Sequence, residues 1–272
     1  MNEQNERRAY WTQQMEQAYG FMEQVLEYPV EECGESMASM IEASDGLEIE
    51  FAATPIAGDL PRVFDLREGL IPHFVAAARE MNERGWIMKV EDGFRSLEMQ
   101  TALAKRPGVF DAVLKSVVWE NGGETPSREL MLRRLSALCA TAPKVGTHMS
   151  GSAIDISVFS RDTGKEIDRG GPYLEMSELT PMASPFISQE AAENRRHIAD
   201  LLVRHGFVAY PFEFWHYNAG DAYDEFMNKT GRPARYGAIH WDTANATITP
   251  VQNPTQGLHS PQEIEACIAA FD

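Results

Sequence analysis

Four residues stand out by type and spacing. His148 and Asp155 share the stretch His148-Met-Ser-Gly-Ser-Ala-Ile-Asp155, and Glu213-Phe-Trp-His216 follows. Neutral imidazole nitrogen and carboxylate oxygen are both zinc ligands, at about 2.0–2.2 Å. Two imidazoles and one carboxylate fill three positions and leave a fourth for water. Such a site keeps enough Lewis acidity to bring the pKa of a water towards neutrality. His148, Asp155 and His216 are therefore the candidate metal ligands, for one zinc ion per chain. Glu213 is spare, and a carboxylate beside a reactive water can carry its proton to a leaving amine. Arg95, in Asp92-Gly-Phe-Arg95-Ser96, follows a strand and a turn. Its guanidinium can stabilise an oxyanion or hold a substrate carboxylate, or it can form a structural ion pair.

These residues need elements that aim them. From residue 152 a period of two puts Ala153, Asp155 and Ser157 on one strand face and Ile154, Ile156 and Val158 on the other. Asp155 can then face a cleft while the aliphatic face enters a core. Gly151 lets the chain turn sharply between His148 and Asp155. Glu213 and His216, three apart, would face opposite ways on a regular strand, so a bend is required there. Phe214 and Trp215 are expected to pack the cleft wall. Trp215, with Ser152 and Glu175, is also carried as a candidate substrate contact.

The periodicity predicts helices over 4–27, 66–84, 96–104, 108–119, 126–140 and 189–205, and a short last one from Pro261. Strands are expected over 47–53, 86–90, 152–159, 207–210 and 212–217. Glycine and proline mark 160–187 as a long irregular loop. Without βαβ regularity, this mix predicts an α+β fold: a compact domain whose small central antiparallel sheet is flanked by helices, with the metal site in a cleft. The expected organisation is a helical N-terminal extension (1–45), a catalytic domain (46–241) and a C-terminal tail (242–272). The apolar stripe of the first helix is expected to pack on the main domain or on a second copy of the chain.

The net charge of −17 over 272 residues repels phosphate backbones, so nucleic acid is not an expected partner. No apolar run is long enough to span a bilayer. The N-terminus is too polar for a secretory signal, and three scattered cysteines (Cys33, Cys139, Cys267) suit a reducing compartment; a cytoplasmic location is expected. Of the other histidines, only His240 is a further candidate for a place near the site.

The motifs His148-x-x-Gly151-x-Ala153-x-Asp155 and Glu213-x-Trp215-His216, preceded by Asp92-Gly-Phe-Arg95, resemble the zinc D-alanyl-D-alanine dipeptidases of the VanX type. These sit within a wider group of D,D-carboxypeptidases and peptidoglycan endopeptidases. The resemblance extends to Asn194-Arg195-Arg196 and Tyr236-Gly237. It implies a compact α+β fold, zinc on His148, Asp155 and His216, Glu213 as general base and acid, Arg95 assisting the transition state, and cytoplasmic cleavage of a D,D-dipeptide such as D-Ala-D-Ala. Two positions depart from the family pattern. Gly146 stands where a serine is usual, and Leu174 falls where an aspartate pairs with the substrate ammonium, leaving Glu175 or Glu178 as substitutes. The departures motivate a second expectation, a D,D-carboxypeptidase or amidase acting on longer or N-modified peptides. A third is a non-catalytic zinc-binding recognition module, which Glu213 and Arg95 oppose.

Overall fold

The computed structural model describes residues 2–56 and 58–270. In chain order the elements are α1 (Glu3–Glu27), β1 (Met37–Ser39), α2 (Met40–Ala43), β2 (Ile49–Phe51), β3 (Asp65–Arg67), α3 (Ile71–Glu83), β4 (Trp86–Asp92), α4 (Leu97–Ala104), α5 (Pro107–Glu120) and α6 (Arg128–Cys139). Then come β5 (Ala153–Ser160), α7 (Gln189–Arg204), β6 (Val208–Ala209), β7 (His216–Asn218), α8 (Ala222–Met227), β8 (Ile239–Asp242), β9 (Thr247–Pro250) and α9 (Pro261–Ala269). The α+β expectation holds. Serine side chains cap α4, α6, α7 and α9 at Ser96, Ser127, Ser188 and Ser260, which satisfies amide donors that a helix start leaves unpaired.

The central sheet has the order β2-β4-β5-β7-β6. It is antiparallel except at one edge, where β2 runs parallel to β4, so the expectation of a purely antiparallel sheet is corrected there. Two-stranded pairs β1–β3 and β8–β9 flank it. One face is a dry core: Ile154, Ile156 and Val158 of β5 pack with Phe74, Ala77 and Met81 of α3 and Ile198, Leu201 and Leu202 of α7. The other face carries Asp155.

Register decides what stands beside Asp155. A bulge between Val90 and Asp92 shifts the β4–β5 pairing by one residue, so Asp92 rather than Glu91 lies opposite Asp155. On the other side Asp155 pairs with His216 of β7. Three neighbouring strands thus set Asp92, Asp155 and His216 in one row.

The strand expected over 212–217 is mostly turn; pairing begins only at His216, whose amide bonds to the Glu213 carbonyl at 3.2 Å. This is the bend that the Glu213–His216 spacing required. Similarly, Asp65–Arg67 at the start of the helix expected over 66–84 is strand, and β1, α2, α8 and the β8–β9 hairpin were not anticipated. Helix α1 buries Trp11, Met15, Ala18, Met22 and Val25 against Ala137, Val145, Tyr210 and Tyr223 of its own chain. Helix α9 inserts Ile264 among Phe110, Leu114, Met131 and Leu135. Both ends of the chain therefore share cores with its middle. Among the described residues no helix is long and apolar enough to cross a membrane.

The loop over 160–187 is irregular, as expected, and a buried arginine holds it. Arg195 on α7 donates to the carbonyls of Arg169, Pro181 and Leu179 at 2.6, 2.7 and 2.8 Å, and its guanidinium stacks 4.1 Å from the Phe214 ring. Burial depresses its pKa to about 10, still charged at neutral pH. Arg195→Met keeps the bulk but orphans three carbonyls, each worth about 1–3 kcal/mol when buried unsatisfied. The expected outcome is a clear fall in Tm and faster proteolysis within 172–187, read by calorimetry and limited digestion.

Candidate metal centre

His148 Nε2, His216 Nδ1 and an oxygen of Asp155 lie within 4.8 Å of one another, and all three residues are buried. Asp155 Oδ1 is 3.3 Å from His148 Nε2 and 2.9 Å from His216 Nδ1. The outer nitrogens are engaged elsewhere. His148 Nδ1 lies 2.7 Å from the Gly93 carbonyl, an obligate acceptor, so this nitrogen carries a proton and Nε2 is the one turned towards Asp155. His216 Nε2 lies 2.9 Å from the Thr147 hydroxyl. That hydroxyl can donate or accept, and Nδ1 faces Asp155 Oδ1; with a metal bound, Nε2 would carry the proton and Nδ1 would face the ion. Hydrogen bonding of the outer nitrogen sets ring orientation and tautomer in this way at histidine metal sites. The donor set, two imidazole nitrogens and one carboxylate oxygen converging on one point, fits zinc.

Local backbone geometry makes the convergence available. His148 sits in a 3-10 turn, Thr147–Ser150, which ends at Gly151 with φ +67°. A side chain there would collide with Met37 as well as strain the backbone. β5 then starts at Ala153 and delivers Asp155 two residues later.

The second oxygen of Asp155 is also held. Tyr173, from the irregular loop, donates its hydroxyl to Oδ2 at 3.0 Å, and Arg95 Nη2 stands 3.6 Å away. Burial alone would raise the Asp155 pKa, but His148 and His216 outweigh it and hold the carboxyl well below its ordinary value. Burial lowers His216, partly offset by Asp155, which favours the neutral imidazole that a metal needs. Arg95 is fixed by Asp92, whose Oδ2 accepts from Nε at 2.7 Å, and by Gln100 Oε1 at 3.2 Å from Nη1. It forms the structural ion pair and also borders the cavity.

The three cluster residues, Glu213 and Arg95 line one cavity of about 490 Å³. Burial and Asp155 push the Glu213 carboxyl up to about 8, with Arg95 opposing. Cys139, on the same wall, is pushed up to about 12 by burial and so stays a thiol.

Of the expected substrate contacts, Trp215 and Glu175 line the cavity and Ser152 does not. Ser152 is fully buried and donates to Asp221 Oδ2 at 2.6 Å, because the turn at Gly151 sends it beneath the cluster. Glu178 pairs with Arg7 instead of facing the cavity. His240 is exposed on β8 and apart from the site. Gly146 borders the cavity with an ordinary φ of −90°, and an added Cβ would meet nothing closer than 3.6 Å, so glycine is not a steric need there. Leu174 stands on the rim, 50% exposed, at φ +65°. Tyr173, Asp92, Thr147 and Arg62 are site residues that the sequence reading passed over. Only Asp92 carried a signal, its place in the Asp92-Gly-Phe-Arg95 turn.

Residues 130–232 match the Peptidase_M15 family, described as D-ala-D-ala dipeptidase. Over this stretch the chain is similar to the D-alanyl-D-alanine dipeptidases. The match contains His148, Asp155, Glu213 and His216 but begins after Arg95. A D-alanyl-D-alanine dipeptidase of Enterococcus faecium is 38% identical over 71 residues, 26% of this chain and 35% of that protein. One from Synechocystis is 26% identical over 224 residues, 72% of this chain and 86% of that protein. The Enterococcus faecium and Enterococcus faecalis relatives are matched over only 35% and 37% of their length. A vancomycin-resistance D,D-pentapeptidase, VanY, crystallised with Zn(II), is 16% identical over 64% of this chain and 80% of its own, with a TM-score of 0.36, a likeness too loose to bear on the site.

The position of Glu213 has a consequence for stability. A carboxyl neutral in the fold up to about pH 8 but ionised in the unfolded chain above about 4.5 binds more protons folded. Stability is then lost as pH rises between those values. In metal-free protein, Glu213→Gln should match the parent near pH 4.5 and exceed it increasingly towards pH 8, read as Tm against pH. A constant difference would refute the assigned burial of the charge.

Proposed function

We propose that this protein is a zinc-dependent hydrolase of D-Ala-D-Ala or a similar D,D-dipeptide. The observation that carries the reading is the shared cavity: a His–Asp–His donor set lines the same space as one buried carboxyl and one fixed guanidinium. His148, Asp155 and His216 would hold the zinc through Nε2, Oδ1 and Nδ1. A zinc ion bound there supplies Lewis acidity, which polarises the scissile carbonyl and makes a water acidic enough to lose a proton near neutral pH.

The chain's own groups do the rest. Glu213, whose ionised form the positive charge of a bound zinc would favour, takes the proton of the attacking water, whose oxygen adds to the carbonyl carbon. As the C–N bond breaks, Glu213 returns that proton to the departing amine nitrogen. Arg95 meets the oxyanion with a guanidinium already aimed by Asp92 and Gln100, so little reorganisation is needed when charge develops. Tyr173 and Trp215, with rings 5.7 Å apart, close the wall over the cluster. Catalysis is assigned to residues 46–241, with 1–45 and 242–272 bracing that unit; Met22 of α1 lines the cavity directly. A cytoplasmic setting fits the three free cysteines. A dimer through α1 would have to use its polar face, since the apolar one is covered by its own chain.

A second reading, a D,D-carboxypeptidase or amidase on longer or N-modified peptides, draws support from the exposed Leu174 on the rim. Equal or faster turnover of N-acetyl-D-Ala-D-Ala than of the free dipeptide would select it. A non-catalytic zinc module would leave Glu213 and Arg95 in the cavity without a task.

Glu213→Ala should retain zinc and lose turnover by about 10²–10⁴-fold, the usual worth of a positioned acid–base group. Asp155→Ala should instead lose the metal. Zinc content and dipeptide hydrolysis, measured together, check both; substantial turnover in zinc-loaded Glu213→Ala would reject the assigned proton carrier.

A further inference from the structure

A second arginine faces the cavity and has no task in the chemistry above. Arg62 lines the same space with a side chain only 10% exposed. Its Nε donates to the Thr54 carbonyl at 2.8 Å, which fixes the plane of the fork. Its Nη1 stands 3.1 Å from Asp92 Oδ1, in ionic contact, yet this buried nitrogen has no hydrogen-bond partner among the described residues. Asp92 is already committed: Oδ2 accepts from Arg95 Nε, and Oδ1 accepts from the Gly93 amide at 3.0 Å. One carboxylate therefore serves two guanidiniums. The wall beside Arg95 thus carries a second guanidinium, pinned at Nε and bordering the cavity.

We propose that Arg62 anchors the C-terminal carboxylate of the peptide substrate and makes a free carboxylate the main requirement at the leaving residue. The inference rests on the hydrolase reading above. A guanidinium fork matches a carboxylate bidentately, and burial sharpens its preference for an anion over a neutral amide. Spacing agrees. Asp92 and Asp155 face each other across one strand pair, so Arg62 lies one carboxylate further from the cluster than Arg95. A dipeptide places its carboxylate one residue beyond the scissile carbonyl, on the order of 4 Å of chain. Arg95 then meets the developing oxyanion while Arg62 meets the terminal charge.

The test uses zinc-loaded full-length Glu213→Gln, in which substrate binds without turning over. Calorimetry compares D-Ala-D-Ala with its C-terminal carboxamide. The acid should bind at least about tenfold more tightly, a difference of about 1.4 kcal/mol. Adding Arg62→Gln should collapse that ratio towards one, and Arg62→Lys, which keeps the charge without the fork, should retain part of it. Arg106→Gln, on the exposed rim of the cavity, should leave the ratio as it was. Zinc content and circular dichroism identify any variant that fails to fold, and the lysine variant then carries the comparison. A ratio that survives Arg62→Gln, or acid and carboxamide binding equally to the parent, overturns the role of Arg62 and leaves the hydrolase reading standing. Failure of the parent to bind either peptide overturns both.

Discussion

A single buried carboxylate sets the terms for the rest of the molecule. Asp155 is 2% exposed in the middle of a sheet, where an isolated charge would be prohibitively costly. It remains ionised because two imidazoles, a tyrosine hydroxyl and a guanidinium surround it. Each partner arrives from a different element: a 3-10 turn, a neighbouring strand, an irregular loop and the turn after β4. Those elements must be held in register for the charge to be tolerated, so the fold and the site share one constraint.

Several otherwise unrelated features serve it. The bulge in β4 brings Asp92 into the row of Asp155 and so aims Arg95 across it. Arg195 nails down the loop that presents Tyr173. Helix α1, far away in sequence, packs against Val145 and Tyr223, and the Tyr223 hydroxyl donates to the Val145 carbonyl at 2.6 Å, just before Thr147 and His148. The outer contacts of the two histidines turn opposite ring nitrogens towards Asp155, Nε2 on one and Nδ1 on the other. The proposed zinc chemistry needs nothing further from the scaffold except the proton carrier and the oxyanion partner, and both face the same cavity.

Much of this was legible in the chain. Alternation over 153–158 predicted which face of β5 is dry and which carries Asp155, and it holds because a period of two leaves no other choice for a strand with one aliphatic face. The spacing of Glu213 and His216 required a bend, and a turn supplies it. Capped helices with strong apolar stripes appeared close to their expected bounds. What stayed hidden depends on pairing between distant segments. Ser152 looked available beside Asp155, but the left-handed Gly151 sends it underneath to Asp221. Asp92 and Arg62 matter only because a one-residue register shift and a loop contact bring them together. Tyr173 lies in a loop without periodicity, so no local pattern announces its bond to Asp155. The β8–β9 hairpin is short and mostly exposed, too weak a signal against the turn-rich chain around it.

The central claim is that His148 Nε2, Asp155 Oδ1 and His216 Nδ1 converge on one zinc ion. Anomalous diffraction at the zinc edge from crystals of the loaded protein tests it directly. The account predicts one strong peak per chain, about 2.0–2.2 Å from those three atoms and open towards the Glu213 side of the cavity. A peak bonded through His148 Nδ1, or one lying away from Asp155, would contradict it.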